Sequence, residues 1–343
     1  MRSISYRARQ RLGTGLKVLL ILAAVVLLLV LIAIVYLGRY VVYTPDGAYL
    51  DFGRNTALPA ATGGAGHAAP APPESVEIEY ADPNISQQTL ERIDGYYIDL
   101  SMLSDPDAVL QAIQELDGPC TVMIDLKAGN GSYYYSTQID DAPLADVDVA
   151  KVDKILSTLK NRGFTMVARV KTFQDTAFAL EHLRCGLAIS GGALWVGDGC
   201  YWLDPGDETV VAYLKQIARE LAGKGFKEIV FDDFYFPESG QIVYESEKSR
   251  TQLTADTATE LLNFFASSNV TISFGNPTVG FPLPEGSHFY ISDVAGSGIN
   301  QTVKRFAELT DPSAQLVFLT GSKDNRFDGY QLLRPILSQL VGS

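Results

Sequence analysis

The chain has 343 residues, 47% of them apolar and 20% charged, with a formal net charge of −13. That length holds one catalytic-sized domain, and the acidic balance argues against nucleic acid and anionic lipid surfaces as ligands, since both are bound through clustered Lys and Arg. Three histidines (His67, His182, His288) at no metal-ligand spacing argue against a zinc enzyme, and no cofactor motif appears. Three cysteines are too few for a disulfide framework; Cys185 and Cys200 are the pair that export would allow, and all three read equally well as small packed thiols.

In chain order, residues 1–17 form a basic N-terminus with Arg2, Arg7, Arg9, Arg11 and Lys17. The run Val18–Leu37 has no charge, proline or glycine, and about twenty such residues cross a hydrocarbon core of about 30 Å as a helix. A transmembrane helix is expected over 18–40, with the basic end in the cytoplasm and Tyr36, Tyr40 and Tyr43 in the headgroup layer. Residues 41–53 read as a juxtamembrane hairpin or turn around Asp46-Gly47. Residues 54–75, with Gly63-Gly64 and Pro70-Ala71-Pro72-Pro73, are a linker that cannot bury enough surface to fold. The chain thus reads as a single-pass cell-membrane protein that holds one domain, residues 76–343, outside the cytoplasm.

Within that domain short β-rich runs alternate with amphipathic helices. The strands are expected at Gly95–Leu103, Thr121–Lys127, Thr165–Phe173, Glu228–Phe236, Val270–Gly275, His288–Val294 and Gln315–Thr320. Helices are expected from Asp105-Pro106 to Gly118 and over Val149–Lys160, Val210–Leu221, Ala258–Phe265 and Val303–Leu309. Alternation at this spacing, without a phosphate-binding glycine motif after the first strand, favours a (β/α)8 TIM-like barrel over a nucleotide-binding sheet. Seven strands are legible, so either one escapes the pattern or the barrel is incompletely closed.

Functional side chains of such a barrel stand at the C-terminal strand ends. The fourth strand ends in Asp232-Asp233, and alternation lets only one of the two face the mouth. Asp125 and Lys127 fall two apart on the second strand and are expected on one face, as an ion pair at the rim. Arg169, among Val167 and Val170, calls for a carboxylate partner. Trp195, Tyr201 and Trp202 gather before Asp204-Pro205, where aromatic faces suit sugar rings or simply pack. Tyr133, Tyr134 and Tyr135 carry the same two readings.

The stretches VMIDLK (Val122–Lys127), VARVKTFQD (Val167–Asp175), ALWVGDGCYWLDP (Ala193–Pro205) and GFKEIVFDDFYFP (Gly225–Pro237) resemble, in order and spacing, the glycoside hydrolase family known as domain of unknown function 4015. The resemblance runs from about Gly95 to Pro237. It implies a glycosidase-like barrel, with the family's aspartate at Asp232, its arginine replaced by Tyr235, and Asp125, Lys127, Arg169 and Asp204 lining or bracing the site. The fifth strand, Thr271–Gly275, lacks the aspartate expected before Phe-Gly, so the C-terminal third reads as divergent.

The function expected is hydrolysis of a glycosidic bond in a cell-envelope or extracellular polysaccharide. Asp232 is one catalytic carboxylate, with Asp125, Asp233, Glu238 and Asp293 as further catalytic candidates. Lys127, Arg169, Trp195, Trp202, Asp204 and Tyr235 are the substrate-binding candidates. The alternative is a tethered glycan-binding barrel without turnover. No metal or cofactor is expected.

Overall fold

Parallel strands covered on both faces need apolar side chains in both directions, and the β-rich runs of this chain have them. The computed structural model describes residues 41–44, 47–50 and 94–339. Eight runs form β1 (Asp94–Ile98), β2 (Thr121–Lys127), β3 (Thr165–Lys171), β4 (Glu228–Asp232), β5 (Thr271–Gly275), β6 (Phe289–Ile291), β7 (Leu316–Leu319) and β8 (Gln331–Pro335). Each pairs in parallel with the next, and β8 pairs back with β1, which closes the barrel. The seven expected strands are all present. The eighth, Gln331–Pro335, escaped the sequence reading because it opens on Gln and closes on Arg-Pro, leaving only Leu332 and Leu333 as apolar signal.

The helices follow from their caps. The Asp105 side chain accepts from Ala108 N at 3.1 Å and Pro106 opens α1 (Pro106–Glu115). This helix stops before Gly118, with Leu116 already extended. Asp148 caps α2 (Val149–Asn161), and Asp175 caps the short α3 (Thr176–Glu181). α4 (Glu208–Lys224) starts at Asp207 and ends at Gly225, whose φ of 108° is cheap only for glycine. α5 (Arg250–Phe265) begins at Ser249, well ahead of the expected Ala258. After α5 the described residues hold only α6 (Ile299–Arg305) and α7 (Pro312–Gln315), and no α-helix joins β5 to β6 or β7 to β8.

The hairpin expected near Asp46-Gly47 is present as an antiparallel pairing of Val41–Thr44 with Gly47–Leu50. The run Val18–Leu37 and the linker 54–75 lie outside the described residues. Among the described residues no helix is long and apolar enough to cross a membrane.

Burial separates into two layers. Most apolar side chains fill the space between strands and helices. A second, smaller set fills the barrel itself: Met123, Val167, Val230, Tyr290, Val317, Leu319 and Leu333, with Tyr97 against them. Strand side chains repeat with a period of two. The inward period of Met123, Val167, Val230 and Tyr290 therefore carries Asp125, Arg169, Asp232 and Ser292 to the next level up, at the C-terminal mouth.

Candidate active site

The mouth holds a cavity of about 360 Å³ lined by Tyr97, Asp99, Arg169, Lys171, Asp232, Asp233, Asn276, Ser292, Asp293 and Leu319. Arg169 donates to both oxygens of Asp125, Nε to Oδ1 at 2.6 Å and Nη2 to Oδ2 at 2.7 Å, the bidentate fork that a guanidinium makes best. Its third nitrogen stands 3.9 Å from Asp232 Oδ2. Lys171, two residues along the same strand, places its ammonium 2.9 Å from Asp232 Oδ2 and donates also to Asp233 Oδ2. One ammonium thus joins two carboxylates, of which Asp232 is buried and Asp233 partly so.

Both Asp232 and Asp233 reach the cavity, against the expectation that only one would. The reason is local: β4 ends at Asp232, and Asp233 takes a left-handed φ of 50°, which breaks the strand's alternation. Asn276 and Asp293, following β5 and β6, are left-handed as well, with φ of 46° and 60°. Asn276 Nδ2 donates to Asp232 Oδ1 at 3.1 Å and Ser292 Oγ at 2.9 Å, and reaches Asp233 Oδ1 at 3.5 Å. Its own Oδ1 accepts from Ser292 N at 3.0 Å. Gly275 leaves the room for this: a Cβ there would lie 2.3 Å from Asp232 Oδ1 and 2.9 Å from its Cα.

These surroundings push the two neighbouring acids apart. Burial alone would raise Asp232, but the Arg169 and Lys171 charges outweigh it and hold the carboxyl below its ordinary value. Asp233 is raised, first by burial and then by the Asp232 charge, with Lys171 and Asn276 pulling partly the other way. Burial works against the Lys171 ammonium, yet the two carboxylates keep it charged.

Other expected residues stand elsewhere. The ion pair between Asp125 and Lys127 does not form. The register between β2 and β3 slips between these two positions, so Asp125 pairs with Arg169 while Lys127 is buried against Asp175 at 2.8 Å. Glu238 is exposed and is not among the residues lining the cavity. Asp293 lines it from the β6 side. Trp202 is 1% exposed, donates from its indole to Gly197 O at 3.1 Å and packs on Trp195 and Tyr235, which leaves Trp195 as the more open ring. Tyr235 is half-buried, and burial with the Asp233 and Asp198 charges lifts its hydroxyl to about 12. Asp204 is occupied by Gly206 N at 2.8 Å and the Tyr244 hydroxyl at 2.9 Å. Tyr133 and Tyr135 are buried, with hydroxyls 2.8 Å from that of Tyr213 and 3.3 Å from Glu220 Oε2. The three cysteines are free thiols, and no cluster able to hold a metal ion occurs among the described residues.

Sequence reasoning passed over Lys171, Asn276, Ser292, Tyr97 and Asp99. Lys171 was within reach, since a period of two from Arg169 lands on it. Asn276 and Ser292 carry no such signal, because their place depends on where β5 and β6 stop.

Residues 97–312, more than half of the chain, match the model of the DUF4015 family, described as "Putative glycosyl hydrolase domain". The chain belongs to this family. The DUF4015 match runs past Pro237, where the motif resemblance ends, and takes in β5 and β6. No curated protein matches the chain. Among solved structures, a hypothetical protein from Ruminiclostridium thermocellum is 21% identical, with a TM-score of 0.45 over 52% of this chain and 96% of that one. The α-galactosidase from Lactobacillus brevis is 10% identical with a TM-score of 0.45 over 72% of this chain, and TtGalA, the α-galactosidase from Thermus thermophilus, is 14% identical with 0.39 over 53%. The chain spans only 40% and 37% of those two enzymes.

Proposed function

We propose that this DUF4015 protein hydrolyses a glycosidic bond in a cell-envelope or extracellular polysaccharide, with Asp232 and Asp233 as its reacting carboxylates. The observation that carries this reading is the opposite displacement of two adjacent acids that share one ammonium at a barrel mouth. Such a split assigns acid and base roles at one pH. Asp233, which keeps its proton longer, donates it to the leaving oxygen; Asp232, held ionised by Arg169 and Lys171, faces the developing positive charge at the sugar carbon. Carboxylates bridged by one ammonium stand closer than the roughly 6.5–9.5 Å that an attacking water needs between them, which favours retention.

The second reading, glycan binding without turnover, draws on the same contact: Lys171 occupies an oxygen of each acid, and a ligand that never displaces it meets no free acid pair. Release of reducing ends from a panel of cell-wall and exopolysaccharide preparations by the detergent-solubilised full-length protein, beside Asp232→Asn, separates the two. Turnover that vanishes in the variant supports the glycosidase, and turnover that survives overturns the site. Binding of a preparation with no release selects the second reading.

We propose further that the protein is tethered, with Val18–Leu37 as the membrane span, the arginines before it on the cytoplasmic side and the barrel on the other. Protease added to intact cells is expected to remove the barrel and spare an N-terminal fragment; full protection would reverse the topology.

A further inference from the structure

Lys127 lies behind the barrel wall. Its side chain is 0% exposed and that of its partner Asp175 is 1% exposed. Taking two charges out of water costs more than their attraction returns unless further hydrogen bonds complete the pair, and here they do. Asp175 Oδ2 also accepts from the Tyr213 hydroxyl at 2.7 Å, which stands 2.8 Å from the Tyr133 hydroxyl. Asp175 Oδ1 accepts from Phe178 N at 2.9 Å as the cap of α3. Lys127 gives another of its protons to the main-chain carbonyl of Lys171 at 2.9 Å. A packed apolar pair would serve stability as well or better, so what the charged pair adds is a fixed direction.

That direction matters because of the residue whose carbonyl it holds. The Lys171 ammonium is the group between Asp232 and Asp233. The next residue, Thr172, donates its N at 3.1 Å and its Oγ1 at 2.7 Å to the Asp232 carbonyl. The slip in register at Leu126 that turns Lys127 out of the mouth is what brings its ammonium to the end of β3. We propose that Lys127, held by Asp175 and Tyr213, is the positioning residue of the mouth: by fixing the main chain at Lys171 it sets where one ammonium stands between two carboxylates. Its consequence for turnover rests on the reading of Asp232 and Asp233 as the reacting pair; the geometric claim does not.

The test is a carbon-13 NMR titration of the full-length protein in detergent micelles, labelled at the aspartate carboxyls, with Asp232 and Asp233 assigned through their Asn variants. Three variants are compared with the wild type. Lys127→Met with Asp175→Leu removes both buried charges at once, Tyr213→Phe weakens the network while leaving the pair, and Lys171→Met removes the bridging ammonium. The two wild-type midpoints are expected well apart. The double variant raises both midpoints, since the Lys171 ammonium lowers both carboxyls, by about one pH unit, and Tyr213→Phe does so by less in the same direction, which decides the matter if the double variant fails to fold. Midpoints unmoved by both, while Lys171→Met shifts them, would overturn the proposal. Absence of reducing-end release from every polysaccharide sinks the glycosidase reading instead, and leaves the titration result standing.

Discussion

The two halves of the barrel are built differently. From β1 to β4 the strands have five to seven residues, and each crossover contains a helix of 10 to 17 residues. From β5 to β8 the strands have three to five residues, and the connections hold helices of seven and four residues or none. The chemistry follows the same division. Asp125, Arg169, Lys171, Asp232 and Asp233 come from the first half; the second gives the cavity the neutral Asn276 and Ser292, the space at Gly275 and the outlying Asp293. Charges that compensate one another sit where long helices hold the strands, and the lightly braced half contributes shape and uncharged donors.

The largest effect expected from this division is in the first half. Asp232→Asn leaves Arg169 and Lys171 with less opposing charge, at a cost of about 3 kcal/mol. Because the folded-state carboxyl is depressed, its contribution is present above the ordinary carboxylate value and is lost as pH falls through the folded one. Denaturant unfolding across pH should therefore show the variant's deficit at neutral pH and its disappearance in acid. Turnover should fall about 10²–10⁴-fold. Equal stabilities at neutral pH would mean that the cations are satisfied without Asp232.

Gly275→Ala tests whether the second half is only a wall. The new Cβ meets both the carboxyl and the Cα of Asp232, so β4 and β5 must separate, at about 1–3 kcal/mol, with a loss of turnover although no charge has changed. A thermal melt matching the wild type would show that the space is slack.

The same division governed what could be read from the sequence. In the first half the cap at Asp105, the long apolar periods and the strand-end acids are all local signals. Four of the seven expected strands and the pairing need of Arg169 follow from them, and the other three strands, β5 to β7, read as apolar runs in the second half. In the second half α6, expected over Val303–Leu309, lies four residues earlier at Ile299–Arg305, α7 is too short for a helical period, and β8 offers two apolar residues. Asp233 and Lys127 were misplaced for a different reason. A period of two assumes an unbroken strand, and a left-handed residue after β4 and a slip in register within β2 each defeat it. Such breaks are tertiary outcomes, and they fall at the mouth.

Asp233→Asn sharpens the comparison, because its stability effect should run opposite to its neighbour's. The raised folded-state carboxyl means that the native state loses stability as pH rises from the ordinary carboxylate value through the folded one. A neutral amide escapes that loss, and Asn accepts the left-handed φ of 50°. The variant should gain up to about 1 kcal/mol at neutral pH, show no gain in acid, and still lose turnover. A loss of stability at neutral pH would mean that the Lys171 contact outweighs burial and the repulsion from Asp232.

The smallest effect should come from Asn276→Gly, and it bears most directly on whether the second half has any electrostatic part. Glycine keeps the left-handed φ of 46° without strain, whereas alanine would add about 1–2 kcal/mol of backbone cost and obscure the result. What disappears is the amide that donates to Asp232 and Ser292 and reaches Asp233. That amide lowers Asp233, so its removal should raise Asp233 further and move the alkaline limb of the pH–rate profile upward, by a few tenths of a unit given the 3.5 Å contact. A limb that stays in place while KM rises would confine Asn276 to shaping the cavity, and the charges of the first half would then set the protonation of the pair on their own.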